Sequence, residues 1–249
     1  MNVLVLGATS VIGSEIAAAF SPYNRVLLAG RDRRRLSRAA DLCRQSGAAQ
    51  VFEMPCDLSA GARDVARLAI ESGVELVINA ASATSRVRDE HVRPERMAEY
   101  LNVELLAPLD IIRSLAASRR DTPLRVIYLS TVLAVTRSPE RTIYGALKAI
   151  HERALTVLAE SSALVTVQIF RIATIINSDR RTNRATMLAK AVRHAFDEGR
   201  PMTTYGLAGR LMIALFFAQP LVYAGVTRAI RVVRRLRGPI HREGDGAPA

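Results

Sequence analysis

Hydrophobic and polar positions along this chain alternate between two patterns. Short apolar runs of strand length fall near 2–6, 25–29, 50–54, 75–79, 124–130 and 164–170. Between them lie longer stretches, 12–20, 32–46, 59–72, 94–118 and 142–160, that read as helices. Regular alternation of strand and helix predicts an α/β fold built on a parallel, doubly wound sheet with helices on both faces. Ligands of such sheets bind beyond the carboxyl ends of the strands.

Two local patterns carry candidate chemistry. Asn2 to Leu6 reads as a buried strand, followed by Gly7-Ala8-Thr9-Ser10-Val11-Ile12-Gly13 and the apolar, Ala-rich helix from Glu15 to Phe20. Strand, glycine turn and helix form the dinucleotide-binding arrangement. Gly7 allows a tight turn, Gly13 allows close helix packing, and the N–H groups of Thr9, Ser10, Val11 and Ile12 at the helix start can face a pyrophosphate. A purely structural turn is the alternative. In Tyr144-Gly-Ala-Leu-Lys148 the tyrosine and lysine lie four apart, on one helix face. An ammonium there favours the ionised phenol, which would make Tyr144 an acid or base near neutral pH.

Together these segments resemble the short-chain dehydrogenase/reductase family, and the resemblance runs from residue 2 to about residue 170. Gly7 and Gly13 match the first and last glycines of the family's turn, with Val11 in place of the middle one. Asn79-Ala80-Ala81 resembles its Asn-Asn-Ala-Gly segment, and Asn102 matches its structural and proton-relay asparagine. Val126 to Thr131 resembles the strand that ends in the catalytic hydroxyl, thirteen residues before Tyr144. That position is Thr131, with Ser130 adjacent as the second candidate; both could instead be hydroxyls that finish a strand by local hydrogen bonding.

The resemblance implies a Rossmann-like sheet of about seven strands, the seventh at Met202 to Tyr205. It also implies hydride transfer between a nicotinamide and a carbonyl carbon. Tyr144 exchanges the proton, Thr131 or Ser130 holds the oxygen, Lys148 tunes Tyr144 and binds the nicotinamide ribose, and Asn102 holds a water linking Lys148 to solvent. Asp57, followed by Leu58, matches the family's adenine-contacting aspartate, and a helix N-terminal role is the alternative. Asn79 and Ala80 complete the expected cofactor wall. The second strand ends Leu28-Ala29-Gly30-Arg31 without a carboxylate, so a cation stands where a 2′-phosphate would lie, and NADP(H) is favoured over NAD(H). Arg34 and Arg35 read as a solvated helix face. Family members commonly pair through the two long helices, 94–118 and 142–160, which predicts a homodimer or larger homo-oligomer. Leu105, Leu109, Ile112, Ala116, Ile150, Leu155 and Leu158 would serve that interface or the sheet.

Composition narrows the partners. The 249 residues suffice for one catalytic domain, and two cysteines, Cys43 and Cys56, are too few for a disulfide framework or metal site. Met1 leads directly into the first strand with no basic segment before it, so a reducing, cytoplasmic setting is expected. The net charge of +12 raises the question of nucleic acid, but aromatic residues are only 5% and no nucleic-acid-binding motif is present, so nucleic acid is not an expected partner. Much of the excess lies near the C-terminus. There, mostly apolar residues 211–226 precede Arg228, Arg231, Arg234, Arg235 and Arg237. That segment is short for a bilayer span and reads as a helix lying on an anionic membrane surface, or else as core or oligomer interface.

The expected organisation is therefore a catalytic domain over 1–205, an apolar and Arg-rich helical extension over 206–237, and a flexible tail over 238–249. The polar run 177–184 is a candidate substrate lid, whose Arg180, Arg181 and Arg184 either meet a phosphate or carboxylate or are solvated. The function expected is an NADP(H)-dependent ketone/alcohol oxidoreductase acting on a small-molecule, lipid-linked or phosphorylated substrate, peripheral to a membrane. A nucleotide-sugar or polyprenyl-linked-sugar reductase or epimerase is one alternative, and a non-catalytic NADP-binding scaffold is another.

Overall fold

A computed structural model of the chain describes residues 1–83, 88–136, 138–173 and 183–218. Seven parallel strands form one sheet in the order β3-β2-β1-β4-β5-β6-β7. They are β1 (Asn2–Leu6), β2 (Arg25–Gly30), β3 (Gln50–Pro55), β4 (Leu76–Asn79), β5 (Leu124–Thr131), β6 (Val165–Ile172) and β7 (Met202–Tyr205). The seventh strand lies where the resemblance put it. Strand order reverses between β1 and β4, whose register pairs Val3 with Leu76 and Leu6 with Asn79. A crevice opens at such a reversal because the connections leave in opposite directions.

Alternation of side chains along the strands feeds two separate cores. Val3, Val5, Val26, Leu28 and Ile78 face α1 (Val11–Ala19), α2 (Arg33–Gln45) and α7 (Asn183–Asp197). Leu4, Leu6, Leu27, Val77, Val126 and Tyr128 face α3 (Leu58–Glu71), α5 (Ala107–Ala117) and α6 (Thr142–Glu160). Burial on both faces explains why the inner strands read as continuous apolar runs.

Three of the helices that abut the crevice begin with a polar cap. Ser10 accepts from Gly13 N, Asp32 from Arg35 N and Asp57 from Ser59 N, each satisfying a donor that the helix start leaves unpaired. Asp57 thus takes the helix N-terminal role that was the alternative for it, and it also borders the crevice.

The predicted helix over 94–118 is not uniform. A short turn at Pro94–Arg96 leads into α4 (Met97–Leu101), a π turn over Asn102–Leu106 and then α5. Its buried stripe includes Tyr100, Val103, Glu104, Ala107, Ile111, Ile112 and Leu115. Of the residues expected to face either a partner or the sheet, Ile112 and Leu155 are core, whereas Ile150 is 51% exposed.

The last described element, α8 (Leu207–Ala218), does not join either core. Leu207, Leu211 and Leu215, four apart, are 74%, 53% and 52% exposed, and Phe217 is 67% exposed. Gly209 is its point of contact: a Cβ there would lie 2.5 Å from Ala173 Cβ and 3.1 Å from Val132 Cγ1, so the helix leans on the segments that follow β5 and β6. No helix among the described residues is long and apolar enough to cross a membrane. Arg180, Arg181, most of the expected lid and everything from residue 219 onward, including the five C-terminal arginines and the expected tail, lie outside the described residues.

Candidate active site

A cleft of about 380 Å³ occupies the crevice at the carboxyl end of the sheet. Its floor is the β1–α1 turn. Gly7 holds φ +78°, and a Cβ there would stand 2.7 Å from the Ala81 backbone, so only glycine permits both the turn and the approach of the chain leaving β4. At Gly13 a Cβ would meet Gly7 O at 2.3 Å, so this glycine closes the turn on itself. Thr9, Ser10, Val11 and Ile12 line the cleft, and Val11, in the place of the family's middle glycine, forms part of its wall. Among the described residues no group of three or more His, Cys, Asp or Glu is arranged to hold a metal.

At one end of the cleft stand Arg31 and Arg35 with Asp57 and Leu58. Arg35, which the sequence suggested was merely solvated, borders the cleft because α2 starts directly beneath the end of β2. Arg31 also reaches Glu99 Oε1 at 3.5 Å, a weak, exposed contact. The Asp32 carboxylate is turned to its helix start, where backbone hydrogen bonds hold its pKa below the ordinary value. Asp57 is lowered in the same way by the Ser59 N–H.

At the other end are Tyr144, Lys148, Ser130 and Thr131. Thr131 Oγ1 accepts from Leu133 N at 3.3 Å, which leaves its O–H to donate, while Ser130 Oγ is buried without a hydrogen-bond partner. Both candidate hydroxyls therefore border the cleft. Asn79 and Asn102 do not. Asn79 is buried and accepts from Ala81 N, shaping the chain so that Ala80, Ala81, Ser82 and Ala83 form the wall. The Asn102 amide donates to Ser59 O at 2.6 Å, tying the π turn to the start of α3, and it makes no hydrogen bond to Lys148.

Lys148 is in contact with Glu104, a residue that sequence reasoning passed over. The ammonium, 3% exposed, lies 3.3 Å from Glu104 Oε2, itself wholly buried, and donates to Leu129 O at 3.3 Å. Ser82 Oγ donates to Glu104 Oε1 at 2.5 Å and Ala83 N at 2.8 Å. Lys148 also stands 4.9 Å from the Tyr128 ring centre and 5.8 Å from that of Tyr144. Burial opposes its charge, but Tyr128, Glu104 and Tyr144 outweigh burial and hold its pKa above the ordinary lysine value.

The same environment corrects the expectation for Tyr144. Burial raises its pKa, Lys148 lowers it, Glu104 raises it again and Arg141 lowers it, with a net upward displacement. Spacing alone shows the lysine but neither the desolvation nor the opposing carboxylate, and those two win.

With the geometry described, comparison with known proteins becomes informative. Residues 1–188 match the family model described as short chain dehydrogenase. The chain belongs to the short chain dehydrogenases. It is accordingly an NAD(P)-dependent oxidoreductase, and the resemblance drawn from Gly7, Thr131, Tyr144 and Lys148 holds at the level of the family. A comparison with curated proteins found no match. Among solved structures it is similar to a bulky-bulky ketone specific alcohol dehydrogenase from Comamonas testosteroni, at 19% identity and TM-score 0.74, covering 98% of this chain and 96% of the other. A short-chain dehydrogenase from Sphingobium yanoikuyae in complex with NADPH aligns at 20% identity and TM-score 0.72, covering 100% and 98%. One from Burkholderia cenocepacia in complex with NADP aligns at 19% and 0.70, covering 89% and 94%. At these identities the likeness shows a shared fold.

Behind the site, His151 is wholly buried, stacked on Tyr128 with ring centres 4.3 Å apart, and its Nδ1 lies 2.8 Å from Glu104 O. Facing a carbonyl, Nδ1 carries the proton of a neutral ring. Burial pushes its pKa down to about 4, below the ordinary value of 6.5. The unfolded chain therefore binds a proton below about pH 6.5 that the folded chain refuses, and stability falls as pH drops through that window. Urea unfolding should show a loss of about 2 kcal/mol between pH 7 and pH 5 from this group. His151→Phe, which keeps the ring stack, should flatten that slope, and an unchanged slope would rule out the assignment.

Proposed function

We propose that this protein is an NADP(H)-dependent ketoreductase whose substrate is lipid-linked or phosphorylated and is met at a membrane surface. The carrying observation is a cleft that joins an arginine end, Arg31 and Arg35, to a hydroxyl end, Tyr144, Ser130 and Thr131. The cradle fits a dinucleotide: Gly7 and Gly13 let the turn close tightly, and Thr9, Ser10, Val11 and Ile12 at the α1 start line the cleft, where a helix start favours phosphate. When bound, the cofactor supplies or accepts hydride. Arg31 and Arg35 hold its 2′-phosphate, Ser130 or Thr131 orients the substrate oxygen, and Tyr144 transfers the proton to that oxygen. NADPH-bound relatives of the same fold lend weight to the cofactor choice.

Binding experiments separate the two cofactors. NADPH should bind more tightly than NADH, and Arg31→Ala should weaken NADPH by roughly 10- to 100-fold while changing NADH little, the scale of hydrogen bonds to a charged group. Equal weakening of both would remove the 2′-phosphate role.

The membrane half of the reading is supported by α8. Its Leu207, Leu211 and Leu215 stripe is exposed, and the helix leans on the segments that follow β5 and β6. The sequence continues from it into the arginines at 228–237. An apolar stripe followed by clustered cations suits an anionic bilayer surface. Sedimentation with phosphatidylserine vesicles at low salt should pull the full-length protein down, and Leu211→Glu with Leu215→Glu should leave most of it in solution. Wild-type protein that stays in the supernatant defeats this half while leaving the cofactor assignment standing.

A homodimer through α5 and α6 completes the proposal, supported by Leu106, Ile150 and Val157, which are 54%, 51% and 45% exposed on those helices and the π turn. Light scattering should give twice the chain mass, falling to the chain mass in Ile150→Glu with Val157→Glu. A wild-type monomer at all concentrations would exclude it.

A further inference from the structure

A buried carboxylate in direct contact with the lysine of a Tyr–Lys pair changes what that pair can do. Glu104 is fixed at both ends. Its carbonyl faces His151 Nδ1 at 2.8 Å, and its carboxylate is held by Ser82 Oγ, Ala83 N and the Lys148 ammonium. The side chain therefore has no freedom to leave Lys148 uncompensated.

The groups facing Tyr144 come from four places. Lys148 lies one turn on in α6, Tyr128 lies on β5, Glu104 lies on the π turn, and Arg141 precedes α6, its guanidinium 5.7 Å from the ring centre. His151, on α6 beyond Lys148, is neutral at physiological pH. Burial opposes the phenolate; without Glu104, two uncompensated cations would act against that burial and pull the phenol toward its anion. With Glu104, one of the two, Lys148, is half of a neutral pair.

We infer that Glu104 is a positioning residue that offsets the effect of Lys148 on Tyr144, so that in its buried setting the phenol stays protonated and the site works as a proton donor, in the direction of ketone reduction. In that direction hydride adds to the carbonyl carbon, the carbonyl π electrons move to oxygen, and the Tyr144 O–H proton completes the alcohol. The reverse reaction needs the phenolate and is confined to more alkaline conditions. Holding and orienting Lys148 remains the direct task of Glu104. The directional statement rests on the reductase reading above, whereas the charge statement does not.

The test reads Tyr144 directly. Tyrosinate absorbance of the full-length protein is titrated against that of Tyr144→Phe, and the difference isolates the Tyr144 phenol without any substrate. Wild type should ionise above the ordinary tyrosine value of about 10. Glu104→Gln should bring ionisation down by at least about one pH unit, and Glu104→Asp, which keeps the charge, should not. Should Glu104→Gln fail to fold, the Glu104→Gln/Lys148→Met double variant replaces a buried pair by neutral groups of similar size, a change that folds more readily. Its Tyr144 should then titrate close to wild type. A wild-type titration near neutrality, an unmoved Glu104→Gln, or a wild type more than about one unit below the double variant each overturns the inference. If NADPH fails to bind or no ketone is reduced, the functional reading fails while the titration still decides the charge statement.

Discussion

A fully buried ammonium must be neutralised where it stands, and much of the site follows from that constraint. Lys148 has left water entirely, which costs several kcal/mol unless opposite charge and hydrogen-bond acceptors replace the lost hydration. Leu129 O at the end of β5, the Glu104 carboxylate and two phenol rings supply the replacement. For Glu104 to reach inward, its backbone has to be anchored on a helix that passes the site, and the Asn102–Leu106 π turn lies just there. Such turns disturb the regular ladder of backbone bonds and recur at functional sites. Asn102 ties the turn to α3, and His151 faces the carbonyl of Glu104 itself.

At the far end of the cleft the balance is struck by helix starts. Asp32 and Asp57 are the first acidic residues after the ends of β2 and β3, and both spend their carboxylates on backbone N–H groups. What borders the cleft as charge is then mainly Arg31 and Arg35. One end is consequently cationic and the other a neutralised ion pair, an asymmetry that orients a ligand carrying its negative charge at one extremity.

Much of the fold was legible because each buried strand and each capped helix announces itself locally. Leu124 to Thr131 and Thr142 to Glu160 need no long-range information beyond apolar runs and their spacing, whereas the four-residue β7 came only from the family resemblance. The Tyr144, Lys148 and glycine-turn positions were legible because their spacing is itself the chemistry. Glu104 was not. Its neighbours Leu105 and Leu109 suggest an apolar stripe about one position away from the one that is buried, and on that stripe Glu104 looks like a solvated flank. Only the observed set of Tyr100, Val103, Ala107 and Ile111 places it inside. The direction of the Tyr144 shift was illegible for the same reason, since desolvation is a property of the assembled core. Arg35 was missed because a run of arginines in a helix does not say which one the preceding strand aims at the crevice.

The reversal of strand order between β1 and β4 has a consequence for the birth of the molecule. β1 is made first yet lies in the middle of the sheet, paired on one side with β2 and on the other with β4, whose residues begin more than two helices later. As the chain leaves the ribosome, β1, β2 and β3 can assemble with α1 and α2, but the β4-facing edge of β1 has no partner until Leu76 to Asn79 emerge. Non-local parallel pairing of this kind is slow, and an open edge invites pairing with other chains in the interval. The crevice that becomes the active site is thus, during synthesis, the seam along which the nascent sheet stays open.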